Sequence, residues 1–368
     1  MTGVGVGVIG AGNVLWAYLQ VLDRLIPRGV AWEGPICARR VDAWSEIMAR
    51  RPGAQLVEEA DGVLSSDVSV VAITTSPDAH AGLVRRALEA GKHVVCEKPV
   101  AMSRAEAEPL FALAADRGLH LLAAPFVQLS PSFRDLWTRI ADGAIGAVHS
   151  TRGLYGNPGS TWAEWFHTGG VGPLAEAGIY NLKSVTALVG PVAEVYAAEA
   201  TALASREIAG RTIDDLDPDV SHVVLRHESG ALSSLVSSQA IQRYHRPGLE
   251  LYGTEGTANL LGDDWDPLGF EIWRNADGSW ATFEPLDATW LWADGLREAV
   301  ECVVESRDPL VHPDHDLHLL EVVDAARVSA REGRPVEVMS RHEIPDLRLV
   351  VDVDRHHLHD HTRPFDQQ

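Results

Sequence analysis

Val4-Gly5-Val6-Gly7-Val8-Ile9-Gly10-Ala11-Gly12-Asn13-Val14 is the stretch from which the rest of the chain can be read. The run Val4 to Ile9 has no polar side chain, the pattern of a strand buried on both faces, and a helical pattern follows from Val14 to Ile26. Gly10 allows the tight turn between them. Gly12 lets the backbone approach a pyrophosphate, which the free N–H groups and dipole of a helix N-terminus attract. The third glycine of the dinucleotide fingerprint is absent, and Leu15 stands in its place. Two glycines alone are a weak signal; their position between a first strand and a first helix strengthens it. Gly10, Gly12, Asn13 and Val14 are the first candidate cofactor contacts.

Outward from this stretch the pattern repeats. Strands are expected at Gly34–Ala38, Val68–Ile73, His93–Cys96 and His120–Ala124, and helices at Val41–Arg51, Ala79–Ala90 and Arg104–Arg117. Such alternation implies βαβ units and a parallel sheet. After about residue 125 the pattern changes. One helix near Ser132–Ala141 leads into successive period-two stretches between Ala147 and Phe283, which predict an open, mainly antiparallel sheet. Two helices follow, Trp292–Glu305 and Asp316–Glu332. The predicted class is α/β: an N-terminal Rossmann dinucleotide-binding domain (1–124), a C-terminal α+β domain for substrate binding and oligomerisation (125–338), and a polar, His-rich tail (339–368).

The end of the second strand is where the ribose is recognised. A carboxylate there accepts from the 2′-hydroxyl of NAD, and Arg accommodates the 2′-phosphate of NADP. The chain reads Cys37-Ala38-Arg39-Arg40, which favours NADP through Arg39 and Arg40; solvated arginines beside an NAD ribose are the alternative. Thr74-Thr75-Ser76-Pro77 closes the next strand, so Thr74, Ser76 and Pro77 are further cofactor candidates. His80 either lines the same cleft or serves as a hydrogen-bonding group at a helix terminus.

The 368 residues are 46% hydrophobic and 23% charged with a net charge of −21. This balance argues against nucleic acid and anionic membranes as partners. Three separated cysteines fit reduced thiols in a cytoplasmic protein, and the N-terminus lacks the basic n-region of a secretory signal. Lysine is rare: Lys92, Lys98 and Lys183 stand against 28 arginines. An ammonium, unlike a guanidinium, can lose its proton near neutral pH. Lys98, in Glu97-Lys98-Pro99, is therefore a candidate for acid–base chemistry.

Together these residues resemble the Gfo/Idh/MocA oxidoreductase family. The carriers are Gly10-Ala11-Gly12, Ser76-Pro77-Asp78-Ala79-His80, Glu97-Lys98-Pro99, Gly143-Ala144-Ile145-Gly146, the segment Gly172 to Tyr180, and Tyr252-Gly253-Thr254-Glu255-Gly256-Thr257. The resemblance implies that Lys98 lies at the nicotinamide and substrate and that Pro99 is cis; Glu97 is a further cofactor-binding candidate. It also implies that the second catalytic motif, Gly-x-Leu-x-Asp-x-Gly-x-His in the family, falls on Gly172 to Tyr180 with Glu176 for the Asp and Tyr180 for the His. The Tyr form resembles the dihydrodiol dehydrogenase and aldose-type branch. Phe126-Val127-Gln128-Leu129-Ser130-Pro131 departs from the Arg-rich segment common in the family.

The chemistry expected is hydride transfer between a nicotinamide and a secondary alcohol or ketone of a sugar, cyclitol or related polyhydroxy compound. Either Tyr180 is the acid/base with Lys98 as electrostatic partner and Glu176 as orienter, or Lys98 is itself the base. Trp162, Trp165 and His167, with Asn181, are candidate substrate contacts; a packed lid or dimer contact is the other reading of the Trp segment. The second-domain sheet is an expected homodimer or homotetramer face, by family analogy. His312, His315 and His318 beside Asp314 and Asp316 look like a metal cluster, but none is expected. Rival functions are a glycosidase-like enzyme with tightly held NAD, and a non-catalytic nucleotide-responsive regulator.

Overall fold

The computed structural model describes residues 3–245, 248–263 and 265–348. Two compact units emerge. Unit 1 comprises Met1–Phe126 with Leu291–Leu317, and unit 2 comprises Val127–Trp290 with the remainder from His318.

Unit 1 runs β1 (Val4–Ile9), α1 (Leu15–Leu25), β2 (Ala31–Cys37), α2 (Val41–Arg50), β3 (Leu56–Val57), α3 (Ala60–Leu64), β4 (Val70–Ile73), α4 (Pro77–Glu89), β5 (His93–Cys96), α5 (Arg104–Asp116) and β6 (Leu121–Ala123). Its six strands are all parallel, in the order β3-β2-β1-β4-β5-β6. The order reverses between β1 and β4, the switch point outside which open α/β sheets bind ligands. Register sharpens the point: Ile9 pairs with Cys37 on one side and Ile73 on the other, and Ile73 pairs with Cys96. The residues one step beyond, Gly10, Ala38, Thr74 and Glu97, therefore form a crest along the carboxyl ends of the strands.

Unit 2 carries α6 (Pro131–Ala141), β7 (Val148–Gly156), α7 (Trp165–Thr168), a π-helical turn (Leu174–Gly178) running into α8 (Ile179–Val189), and β8 (Val192–Ala200). The small hairpin β9 (Arg206–Ile208) and β10 (Arg211–Ile213) precedes β11 (Val220–His227), β12 (Leu232–Ser238), β13 (Leu249–Gly253), β14 (Gly256–Asp263), β15 (Asp266–Arg274) and β16 (Ser279–Phe283). Next in sequence are α9 (Gly295–Glu305), which belongs to unit 1, then α10 (Pro313–Glu332) and β17 (Val336–Glu337). The large sheet has the order β16-β15-β14-β13-β7-β12-β11-β8-β17. Within this sheet, only the β7–β12 pair is parallel among the described strands. Alternating burial along β11 shows one covered and one open face. Helix α8 packs against β7 and β12 on the covered side.

The structure amends three readings. Helix α9 groups with unit 1, where Gly295 presses on the ring of Phe126, although it follows the sheet strands in sequence. Residues 339–348 are not a free tail: Leu347 is fully buried, His342 is buried, and Arg134 donates from Nε to the Leu347 carbonyl at 2.9 Å. The later histidines, His356 to His361, lie outside the described residues. Strand β14 falls in a stretch to which the sequence reading assigns no element.

Candidate active site

The crest of unit 1 is built by the β1–α1 turn. Gly10 has φ +118, and a Cβ there would lie 2.6 Å from the Thr74 carbonyl carbon. Only glycine fits this approach of β1 to β4. Thr74 Oγ1 donates back to the Gly10 carbonyl at 2.9 Å and is itself buried. Gly12 and Asn13 are exposed, and Val14 is the residue from which α1 starts. No side chain caps α1 and its first turn carries no acid. A helix N-terminus without a side-chain cap, at a switch point and beside exposed glycine backbone, fits the pyrophosphate of a dinucleotide. Ser76 precedes α4 as its N-cap residue, and Pro77 fills the first helical position.

The segment carrying Lys98 is held from several sides. Tyr18 on α1 donates its hydroxyl to Glu97 Oε1 at 2.9 Å, and the Lys98 N–H donates to Glu97 Oε2 at 3.2 Å. Glu97 is buried and thus acts on the backbone, whereas Lys98 is half-buried. The Lys98–Pro99 bond is cis, as the resemblance implied. His80, fully buried, sets its Nδ1 2.8 Å from the Pro99 carbonyl and its Nε2 3.0 Å from the Thr75 carbonyl. Both ring nitrogens face main-chain carbonyls, so His80 braces the ends of β4 and β5 and acts as the hydrogen-bonding group that was the second reading of it. Burial and the Glu97 charge push the Cys96 thiol well above its ordinary range, leaving it inert.

At the tip of β2, Arg39 and Arg40 are exposed, and Trp44 Nε1 donates to the Ala38 carbonyl at 2.6 Å, fixing the turn.

Unit 2 presents the other candidates. Glu176 sits in the π-helical turn and Tyr180 one turn later at the start of α8; both are half-buried. Such π turns are rare and recur at functional sites. Gly178 lies between them because a Cβ there would meet Ser237 Oγ at 2.0 Å, so the turn is pressed against β12. The Tyr180 ring stacks on Tyr155 of β7, with centroids 5.9 Å apart and planes at 18°. Gln239, just beyond β12, approaches Glu176 Oε2 through Nε2 at 3.5 Å. The Gln239 backbone is in turn fixed by Asp219 and by Arg206, a buried ion pair of 3.0 Å.

The four proposed substrate contacts differ in placement. Asn181 is fully buried and donates to the Gly248 carbonyl at 3.1 Å, so it ties α8 to the sheet. His167 is buried with Nε2 2.9 Å from the Ser160 carbonyl, and burial holds its pKa below the usual histidine value. Trp165 is half-buried, stacked on Phe166 at 3.9 Å, while Trp162 is 53% exposed. Sequence reasoning missed Gln239 and Tyr155. Their only signal is placement at the ends of adjacent paired strands, which needs the β7–β12 register to be seen. Among the described residues, no group of three or more His, Cys, Asp or Glu is gathered to hold a metal ion, and no helix is long and apolar enough to cross a membrane.

Comparison with known proteins follows this division. Residues 4–124 match the model of the oxidoreductase family with NAD-binding Rossmann fold, and residues 133–259 match the GFO/IDH/MocA C-terminal domain. Among curated relatives, D-apiose dehydrogenase of Paraburkholderia graminis is 29% identical over 78% of this chain and 77% of that protein. Trans-1,2-dihydrobenzene-1,2-diol dehydrogenase of Bos taurus is 26% identical over 71% and 75%. A solved levoglucosan dehydrogenase, in complex with NADH and L-sorbose, superposes with a TM-score of 0.80 over 92% of this chain and all of that one, at 22% identity, and shows the shared fold. With both halves matched to one family over more than half of its length, the chain belongs to the Gfo/Idh/MocA oxidoreductases.

Proposed function

We propose that this protein is a nicotinamide-dependent dehydrogenase or reductase acting on a secondary alcohol or ketone of a sugar, cyclitol or related polyhydroxy compound. The observation that carries the proposal is the crest of unit 1. An uncapped helix N-terminus at the sheet's switch point shares that edge with the Glu97–Lys98–cis-Pro99 segment. Named relatives are dehydrogenases of apiose, dihydrodiols and inositol, which supports a CH–OH substrate.

In this reading unit 1 supplies the dinucleotide cradle through Gly10, Gly12, Asn13 and Val14, with Thr74, Ser76 and Pro77 shaping the neighbouring loop. When bound, the nicotinamide supplies the hydride acceptor or donor. Tyr180 takes the hydroxyl proton as hydride leaves carbon, or returns it in reduction. Lys98 is assigned as its electrostatic partner and as the binder of the reacting oxygen. Glu176, steadied by Gln239, orients this set. A proton transfer of this kind contributes about 10²–10⁴ in rate. NADP is preferred over NAD because Arg39 and Arg40, not a carboxylate, occupy the β2 tip. The open face of the large sheet serves as the contact between copies in a homodimer or homotetramer. The transient-redox and regulator readings gain no support from relatives named as dehydrogenases.

The test is direct. The purified protein is incubated with NAD⁺ or NADP⁺ and a panel of aldoses, cyclitols and dihydrodiols, and nicotinamide reduction is followed by absorbance. Net reduction with at least one polyol supports the reading; nucleotide binding without turnover across the panel overturns it.

A further inference from the structure

Unit 2 contains a cavity of about 570 Å³ that none of the roles above uses. It opens between the end of β7, residues 242–245 after β12, the end of β14 and Trp265. Its walls include Tyr155, Tyr244 and Trp265, with Asn157, Gln242 and Asp263 as polar groups. Tyr244 donates its hydroxyl to Asp263 Oδ1 at 3.2 Å, which ties the segment after β12 to the end of β14. Asn157 Oδ1 accepts the Gly159 N–H at 2.8 Å, which fixes the amide with its NH₂ as a donor. Flat aromatic faces beside amide and carboxylate groups are the chemistry that binds a pyranose: C–H faces on rings, hydroxyls on fixed polar atoms.

Tyr155 is shared. It lines this cavity and also stacks on Tyr180. A substrate with its reacting carbon at Tyr180 therefore has its remote end directed across Tyr155 and into the cavity. The volume lies within the range of about 300–1,000 Å³ typical of pockets for drug-sized ligands, more than one sugar ring fills. We infer that the cavity is a subsite for a second sugar ring, so that the preferred substrate is a glycoside or disaccharide and not a free monosaccharide. This inference rests on the proposed role of Tyr180.

The test compares kcat/KM for D-glucose, D-galactose and D-xylose with that for cellobiose, lactose and xylobiose, in the wild type and in Trp265→Ala and Gln242→Ala. Gln242 is exposed, so its variant guards against a folding defect at Trp265. The expected result is a preference for the two-ring sugars of about tenfold or more. Each variant should reduce that preference while leaving monosaccharide turnover within about twofold. Equal use of one- and two-ring sugars, or variants that lower both together, overturns the subsite. Saturation-transfer NMR with cellobiose reads the cavity independently of turnover. A signal lost in Trp265→Ala and weakened in Gln242→Ala supports the subsite even if no sugar is oxidised, in which case the dehydrogenase reading fails alone. No cellobiose signal in the wild type overturns the subsite.

Discussion

Tyr18 donates its hydroxyl to Glu97 at 2.9 Å, joining the first helix of unit 1 to the residue before Lys98. Both groups are buried, so the bond is one between a phenol and a desolvated carboxylate. Tyr18→Phe removes the donor and leaves the charge in place. Hydrogen bonds to charged groups are worth about 1.5–3 kcal/mol, and urea unfolding should show a loss of that size. The Michaelis constant for the nucleotide should rise as well, because the Lys98 backbone hangs on the same carboxylate. A stability change within about 0.5 kcal/mol, the range of surface substitutions, contradicts the account.

Gly10 and Gly12 should separate under the same substitution. Gly10→Ala places a Cβ against the Thr74 backbone at a φ of +118. It should destabilise the protein by about 1–3 kcal/mol through strain alone. Gly12→Ala meets nothing nearer than the Thr74 carbonyl at 4.0 Å, so the fold should hold. Its effect should appear in nucleotide affinity, measured by calorimetry, because the methyl fills the pyrophosphate approach. Equal melting temperatures for the two variants would sink this distinction.

Arg39 and Arg40 are exposed at the β2 tip, where a 2′-phosphate would lie. Arg39→Ala should lower the ratio of kcat/KM for NADP over NAD by about 10- to 100-fold, the equivalent of one or two charge-assisted hydrogen bonds. An unchanged ratio would show that the guanidinium is a solvated loop charge.

His318 makes stability depend on pH. Its Nε2 accepts the Val192 N–H at 2.9 Å, and its Nδ1 lies 2.9 Å from Ser340 Oγ. Accepting at Nε2 requires the neutral ring. Burial, with the neighbouring His342 ring, pushes the His318 pKa down to about 3. In the unfolded chain the same group titrates near 6.5. Below about pH 6.5 the unfolded state gains a proton that the folded state does not. Stability is thus fully present above 6.5, falls as the pH drops, and levels off near 3. Between pH 7 and pH 5 the loss should be on the order of 1–2 kcal/mol, and His318→Gln should flatten that slope in urea unfolding at the two pH values.

Most of the parallel half of the fold was legible because strands such as β1 and β4 are short apolar runs closed by glycine or a polar turn, whereas the two-residue β3 leaves no such signal. The first strand, Val4–Ile9, matches its expected ends, and the crest residues follow from it. Strand β14 was not legible. Gly256, Ala258, Asn259 and Gly262 have little intrinsic strand preference, and the segment is held by pairing with β13 and β15 on either side. Helix α8 was hidden for a different reason. All but Tyr180 of its residues are buried, Asn181 and Lys183 among them, so it has no polar face and no helical period. The same burial explains why Asn181 was mistaken for a substrate contact. Gln239 was invisible because its approach to Glu176 joins residues 63 apart in sequence.

In the proposed mechanism Tyr180 moves the proton during hydride transfer. The most direct measurement is single-turnover nicotinamide reduction by Tyr180→Phe, with the best substrate from the panel and saturating nucleotide. The expected rate is about 10²- to 10⁴-fold below the wild type with nucleotide affinity unchanged. A rate within about twofold of the wild type would contradict it, since a phenylalanine ring preserves the stack on Tyr155 but has no proton to exchange.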